Sequence, residues 1–424
     1  MQESNYKYLM SEKLPKHVYR LLRSISKTGG KKIPVFVVGG FVRDLLMGQP
    51  NLDIDIVTEG DGIEFAQAFA AAQKGSIKRH ERFGTAVVSL PDGFKIDVAT
   101  ARTEIYDHPG ALPSVEFSTI RNDLQRRDFT VNAMAIELNG RRFGELVDFF
   151  GGKLDTKTGS VRVLHDLSFV DDPTRIFRAI RFERRYGFTI EPRTYDLMMK
   201  AVAEGALEAI TRERIRNEIL LILREDNLIR VINRMAHFHL MEYIHPKISV
   251  SDEMAWLFDR VKDVLAWWYS ERGRADTVLL NLLILLDQLD AAETEDAVER
   301  LVLRKGYAEA LTALKMNLPV ILESMSEGRK KLSEIYEMLK GLPLEVLLFI
   351  IAKYTDISGN VMIYLSRIRK AKPLVNGNDL SKLHYPKGPL YTEILAATFA
   401  AQLDGLVEDK KEAIQFVKSQ FPIQ

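Results

Sequence analysis

A chain of 424 residues is too long for one ordinary hydrophobic core, so about two to four domains or helical layers are expected. Its 59 lysines and arginines almost cancel 58 aspartates and glutamates, and the net charge of +1 excludes a polycation over the whole surface; a nucleic-acid partner would need clustered basic residues. The chain contains no cysteine, which removes disulfides, thiolate metal sites and a cysteine nucleophile.

The first residues are polar and charged (Gln2, Glu3, Lys7), unlike a signal peptide. The longest apolar stretch, around Val278 to Leu286, falls short of the roughly 20 residues that span a bilayer. A cytoplasmic protein without membrane contact is expected.

In chain order, Val35–Val38 is apolar and β-branched and predicts a strand. Gly39-Gly40 ends it, and Phe41 to Met47 starts a helix. A second strand is predicted over Asp53–Val57, and strand periodicity puts Asp53 and Asp55 on one face. Ile63–Ala72 reads as a helix, and Thr85–Leu90 and Phe94–Ala99 as strands joined by a turn at Pro91-Asp92-Gly93. Past Gly151-Gly152 the character changes. From Asp172 onward the period is helical, with glycine and proline at joints such as Gly187 and Pro192. The expected fold is α+β: a strand-rich head of about 150 residues, then a long helical array with few or no strands.

Several groups of residues carry chemistry. Asp53 and Asp55 beside a glycine turn can hold Mg²⁺ and a triphosphate together. Asp97 on a further strand can join them as a third acid and general base. Gly39 and Gly40 let backbone N–H groups approach phosphate, and Arg43 lies one helical turn further on. Arg126, Arg127 and Asp128 form a second group, with Thr130 and Asn132 as additional hydrogen-bonding residues. In the third, Asp172 fits a helix N-cap and Pro173 a first turn. Arg175, Arg178 and Arg181 then recur every three residues as a basic stripe suited to an anionic ligand. Each pattern alone also reads as ordinary surface: an acidic strand edge, a glycine turn, a charged helix end, an arginine face paired with Glu183. Their combination is much more specific.

Together these groups resemble the class II tRNA nucleotidyltransferases, the bacterial family of CCA-adding enzymes and poly(A) polymerases. Gly39 to Asp55 is similar to the family's first motif and Arg126 to Ala135 to its second. Asp148-Phe149-Phe150-Gly151-Gly152 resembles the hinge, Asp172 to Arg175 the base-selecting motif, and Thr211-Arg212-Glu213-Arg214-Ile215 a following neck motif. Asn376 to Leu380, with Lys387-Gly388-Pro389, resembles a tail segment. The resemblance implies a mixed-sheet head of the polymerase-β type over 1–152, a helical neck over 153–225, a body over 226–340 and a tail over 341–424. It further implies template-independent extension of tRNA 3′ ends. Asp172 would accept from the exocyclic amine shared by C and A, and Arg175 would donate to the neighbouring ring nitrogen. Arg178 and Arg181 would lie near the sugar and phosphates. The implied partners are tRNA and ATP, with CTP as well if more than the last nucleotide is added, and Mg²⁺ as cofactor; a monomer is expected.

Members add CCA, only CC or only A, and the region between Arg102 and Arg121, which reads Thr103 to Glu116 at its centre, corresponds to a flexible loop linked to that choice. Here it holds no lysine or arginine. That, and Glu59-Gly60-Asp61-Gly62 after the acid pair, resembles the A-adding branch, so addition of the terminal A is expected. Complete CCA addition, poly(A) polymerase activity on general RNA and an inactive RNA-binding protein are the alternatives. A late basic segment (Arg367, Arg369, Lys370, Lys372) is a candidate contact for the tRNA backbone, or an ordinary helix end. His237 and His239 read as satisfied helix histidines, and Trp256, Trp267 and Trp268 as core.

Overall fold

Alternation of side chains along the strands decides which face of the N-terminal sheet is left for chemistry. The computed structural model describes residues 5–29, 33–105, 110, 114–326 and 330–422. Nine strands occupy the described part of the head: β1 (Val35–Val38), β2 (Ile54–Thr58), β3 (Ser76–His80), β4 (Thr85–Ser89), β5 (Lys95–Thr100), β6 (Arg102–Ile105), β7 (Ser114–Phe117), β8 (Ala135–Glu137) and β9 (Leu146–Val147). Seven form one sheet in the order β3-β4-β5-β2-β1-β8-β9, and β6 pairs with β7 separately. Every pairing in the large sheet is antiparallel except β2 with β5.

Ile54, Ile56, Ala86, Val88, Ile96 and Val98 point to one face. There they bury against Met10, Val18, Leu22 and Ile25, and against Phe41, Leu45, Phe65 and Phe69 of the Gly40–Met47 and Gly62–Ala72 helices. The alternate residues face the other way. Phe36, Val38, Val57 and Ala135 pack with Ile120 and Leu124 of the Ile120–Gln125 helix. Asp55 and Asp97 share this second face because their neighbours Ile54, Ile56, Ile96 and Val98 have taken the first.

The expected strands are present within a residue at each end, and Gly93 in left-handed backbone closes the β4–β5 turn. Asp53 lies just ahead of β2 and not on it. Strand β3 went unread because its sequence, SIKRH, is polar and nearly all exposed, as suits a sheet edge.

The hinge segment has a plain physical basis. The Asp148 carboxylate accepts from the N–H groups of Phe150, Gly151, Gly152 and Lys153 at 2.9–3.3 Å, so it caps the Gly152–Thr158 helix. That helix start lies directly on the Thr130–Asn132 turn. A Cβ on Gly152 would sit 2.2 Å from the Thr130 carbonyl oxygen.

Beyond Gly152 the described residues are in helices and turns, apart from a two-residue parallel pair, Ser160–Val161 with Thr189–Ile190. The chain separates into two compact units, one holding residues up to Ile219 plus Glu225–His239, the other Leu220–Arg224 and Leu240 onward. Among the described residues of the second unit only helices and turns occur. The nearly all-buried Thr277–Leu285 helix runs through it, and Val375, Leu380, Ile394, Ala413 and Val417 close its C-terminal end. Asn376 and Asp379 form a reciprocal capping box, which accounts for the tail wording. Trp268 is core, donating through Nε1 to the Arg274 carbonyl at 3.1 Å, but Trp256 is 46% exposed and corrects the expectation of burial. Pro319 likewise sits inside the Lys305–Ser326 helix and not at a joint. No described helix is long and apolar enough to cross a membrane.

Substituting Gly152→Ala should destabilise the protein by about 3 kcal/mol in urea titration, because the new methyl meets backbone that cannot swing away.

Candidate active site

Parallel pairing of β2 with β5 sets Asp55 opposite Asp97. Asp53, held by its N–H to the Asn51 side chain at 2.8 Å, completes a trio in which one carboxylate oxygen from each acid lies within 4.8 Å of the other two. Burial, then the Asp53 charge, pushes the Asp55 carboxyl up to about 6 against the pull of Arg127. Burial and Asp53 raise Asp97 as well. Three hard oxygen donors that repel one another fit a divalent cation, which removes that repulsion on binding.

Asp53 and Asp55, but not Asp97, line a cavity of about 670 Å³ together with Gly40, Arg43, Arg126, Arg127, Asp128, Asn132, Asp172, Arg175 and Arg178. Gly40 begins a helix there, whose first-turn N–H groups suit an anion. Gly39 is not in the lining but shapes it. Its φ is +71°, and a Cβ would lie 2.6 Å from Nη1 of Arg127. Arg127 therefore rests on bare backbone, its Nη2 donating to Asp123 at 3.1 Å, while its buried Nε finds no acceptor among the described residues. That orphan donor suits an anionic ligand. Arg126 is clamped by Asp123 and Glu104, both at 2.7 Å. Burial would raise the fully enclosed Asp123 carboxyl, but the two arginines hold it below its usual range.

Asp128 is the hub of a buried polar chain. It accepts from Asn132 Nδ2 at 2.9 Å, and its other oxygen takes Nε and Nη2 of Arg178. Asn132 Oδ1 in turn accepts from Arg43, whose guanidinium is forked on Asp44 at 2.8 and 2.9 Å. Arg43 also donates to the Tyr186 hydroxyl and lies 4.3 Å over that ring. Burial alone would raise Asp128; Arg178, Asn132 and the Phe129 N–H outweigh it and hold the carboxyl at about 2. Asp128 raises Arg178 in return.

On the far wall Thr174 takes the N-cap position of the Arg175–Tyr186 helix, two residues later than expected, and its side chain makes no capping bond. Asp172 still accepts from the Thr174 N–H at 3.0 Å and its hydroxyl at 2.5 Å, and from Arg214 at 2.7 Å. Among the described residues all these bonds run to Oδ1, so Oδ2 is the oxygen left for a ligand. Arg175 is buried, donating to Ser168 Oγ at 2.6 Å and to the Arg126 carbonyl at 2.8 Å. Arg181 diverges from the stripe. It lies outside the cavity, against Glu218 and Glu225. Glu183, expected beside the stripe, is forked by Arg234 at 2.8 and 3.0 Å.

The basic residues Arg367, Arg369, Lys370 and Lys372 are exposed in the second unit, with Ile368 buried between them. His237 meets Tyr195 at 3.0 Å, as expected of a satisfied histidine. Of the loop from Thr103 to Glu116, residues 106–109 and 111–113 lie outside the described residues, and the flanks form the β6–β7 pair. Sequence reasoning missed Asp44, Asn51, Glu104, Asp123 and Tyr186. Only Asp44 and Asp123, acids next to or one turn before arginines already singled out, gave a signal.

The sheet, its acid trio and the arginine wall define a nucleotidyltransferase head. Residues 35–162 match the model of the poly(A) polymerase head domain, and 187–251 that of the probable RNA- and SrmB-binding site of polymerase A. An A-adding tRNA nucleotidyltransferase of Geobacter sulfurreducens is 41% identical over 94% of this chain, which spans only 46% of that relative's length. Another, of Halalkalibacterium halodurans, is 32% identical, with 97% of this chain and 95% of the relative covered. The solved structure of a Thermotoga maritima CCA-adding enzyme complexed with tRNA superposes with a TM-score of 0.75 at 37% identity, covering 99% of this chain and all of that one. The chain belongs to the family of tRNA nucleotidyltransferases and poly(A) polymerases.

Two outcomes follow from the carboxylates. Ionised Asp55 is disfavoured in the fold, so Asp55→Asn should raise the melting temperature of metal-free protein at pH 7. The gain should shrink as pH falls through about 6 and vanish below about 4, where the acid is protonated folded or unfolded; calorimetry across pH tests this. Asp128 has the opposite sign, contributing stability above about pH 4 that is lost towards pH 2. Asp128→Ala strands Arg178 and should cost about 3–5 kcal/mol in urea titration at pH 7.

Proposed function

We propose that this chain is an Mg²⁺-dependent, template-independent tRNA nucleotidyltransferase that transfers AMP from ATP to a tRNA ending in CC. The supporting observation is that one cavity is lined both by the acids Asp53 and Asp55 and, from the far wall, by Asp172 and Arg175. Chemistry and base choice thus meet over a single nucleotide.

Asp53 and Asp55 would hold the metal, which supplies a Lewis acid for the 3′-hydroxyl and for the leaving phosphates. The 3′-oxygen attacks the α-phosphorus, the bond to the β-phosphate oxygen breaks, and pyrophosphate leaves. Asp97, beside Asp55 on the same face, accepts the hydroxyl proton. Arg127, Arg43 and the Gly40 helix start orient the triphosphate. Oδ2 of Asp172 accepts from the adenine amine and Arg175 donates to the adjacent ring nitrogen, so G and U, which present a carbonyl there, are rejected. Arg178 holds the ribose side through its link to Asp128. We assign 1–152 to chemistry, 153–225 to choice, and 226–340 and 341–424 to holding tRNA, with Arg367, Arg369, Lys370 and Lys372 on its phosphates. Complete CCA addition is the second reading, favoured by the end-to-end match to a CCA-adding enzyme.

Purified protein, Mg²⁺ and each nucleotide offered singly to tRNA ending at the discriminator base, at C and at CC test the proposal. Extension of the CC-ended form alone, with ATP alone, is expected; CTP incorporation establishes the second reading, long tails establish a poly(A) polymerase, and no extension overturns both. Asp53→Ala should abolish addition. Asp172→Ala should retain it while lowering the preference for ATP over GTP roughly tenfold to a hundredfold, read from the kcat/KM ratio.

A further inference from the structure

The catalytic face of the sheet does not end at Asp97. Register carries one row of side chains across four strands on the same side: Asp55, Asp97, Val87 and Lys78. The rows on either side add Lys95 with Ser89, and Thr85 with His80. Lys78 therefore stands about 10 Å from Asp97, two strand spacings away. A second cavity of about 350 Å³ lies over this part of the face, lined by Asp55, Asp97, His80, Thr85, Val87, Arg126 and Arg127. It shares Asp55 and the two arginines with the larger cavity but holds none of the base-choosing residues.

Beyond it the edge is basic and aromatic. Lys78, His80, Arg82 and Lys95 are exposed, with Glu81 as the acid among them. Phe83 is 46% and Phe117 69% exposed, unusual for two phenylalanines so close together. Gly84, at φ +59°, has its Cβ position 2.7 Å from the Phe117 ring, so that ring lies against the turn that carries Phe83. The Phe83 carbonyl is held by Arg102 at 3.2 Å.

We infer that this strip, from the second cavity out to Phe83 and Phe117, receives the single-stranded 3′ end of the RNA. The inference rests on the function proposed above. In-line transfer needs the attacking hydroxyl and the departing pyrophosphate on opposite sides of the phosphorus. The larger cavity takes the nucleotide, so the acceptor strand must reach Asp55 and Asp97 from the other side, where this strip begins. Exposed cations match its phosphates and exposed rings its unstacked bases.

The test uses the whole chain with tRNA ending in CC. The pairs Phe83→Ala with Phe117→Ala, and Lys78→Ala with Lys95→Ala, should each raise the KM for tRNA about tenfold and leave the KM for ATP unchanged. Phe→Tyr at both rings should restore it. The lysine pair should also flatten the log–log salt dependence of tRNA binding by about 1.4, the value for two single-strand phosphates. A wild-type KM for tRNA in both pairs overturns the inference. So does an equal loss of affinity for tRNA trimmed of its single-stranded end, which would place the duplex on the strip. If the wild type extends no RNA, the proposed function fails instead, and the equilibrium Kd of the same variants for CC-ended tRNA still decides the strip.

Discussion

The parallel register of β2 against β5 is the constraint on which the site depends. It is the one parallel pairing in an otherwise antiparallel sheet, and it sets Asp55 directly beside Asp97. A slip of one residue would turn Asp55 towards the helix-covered face and bring Ile54 or Ile56 to the metal position. The isoleucines and valines that hold the register are therefore as necessary to the acid trio as the acids themselves. They bury against four helices, so the repulsion among the carboxylates is borne by a closely packed core.

A second dependence runs through Asp128. The glycine turn, the Arg126–Asn132 segment and the Arg175–Tyr186 helix are distant in sequence, yet Arg43, Asn132, Asp128 and Arg178 join them as one chain of hydrogen bonds. Half-satisfied buried networks are costly, whereas a complete one is rigid. The groups that would grip phosphate and those that would grip sugar and base are thereby held in fixed relation before any ligand arrives.

Much of this was legible in the sequence. Ile54-Asp55-Ile56 and Lys95-Ile96-Asp97-Val98 alternate so regularly that their facing follows from period alone. The left-handed Gly39 and the acid next to each arginine group are chemical requirements that leave fixed wording. Three things were not legible. An edge strand such as SIKRH shows no apolar alternation, because neither face of it is fully covered. The second partner of Arg126, Glu104, comes from a separate hairpin, and that pairing is set by packing alone. Arg181 repeats the spacing of Arg175 and Arg178, but a three-residue step drifts around a helix of 3.6 residues per turn, and by the third position it has rotated out of the cavity.

The larger cavity carries a further consequence. Among its described lining residues six arginines stand against six acids, so the pocket's own side chains have little net pull on a phosphate group. A nucleotide that arrives bare meets as much repulsion as attraction, while one that brings a cation to Asp53 and Asp55 leaves the arginines free to act on its phosphates. For the nucleotide proposed above, in a cell crowded with sugar phosphates, free pyrophosphate and other polyanions, such balance would work as a filter: negative charge as such would gain little, and the metal-loaded triphosphate would be preferred.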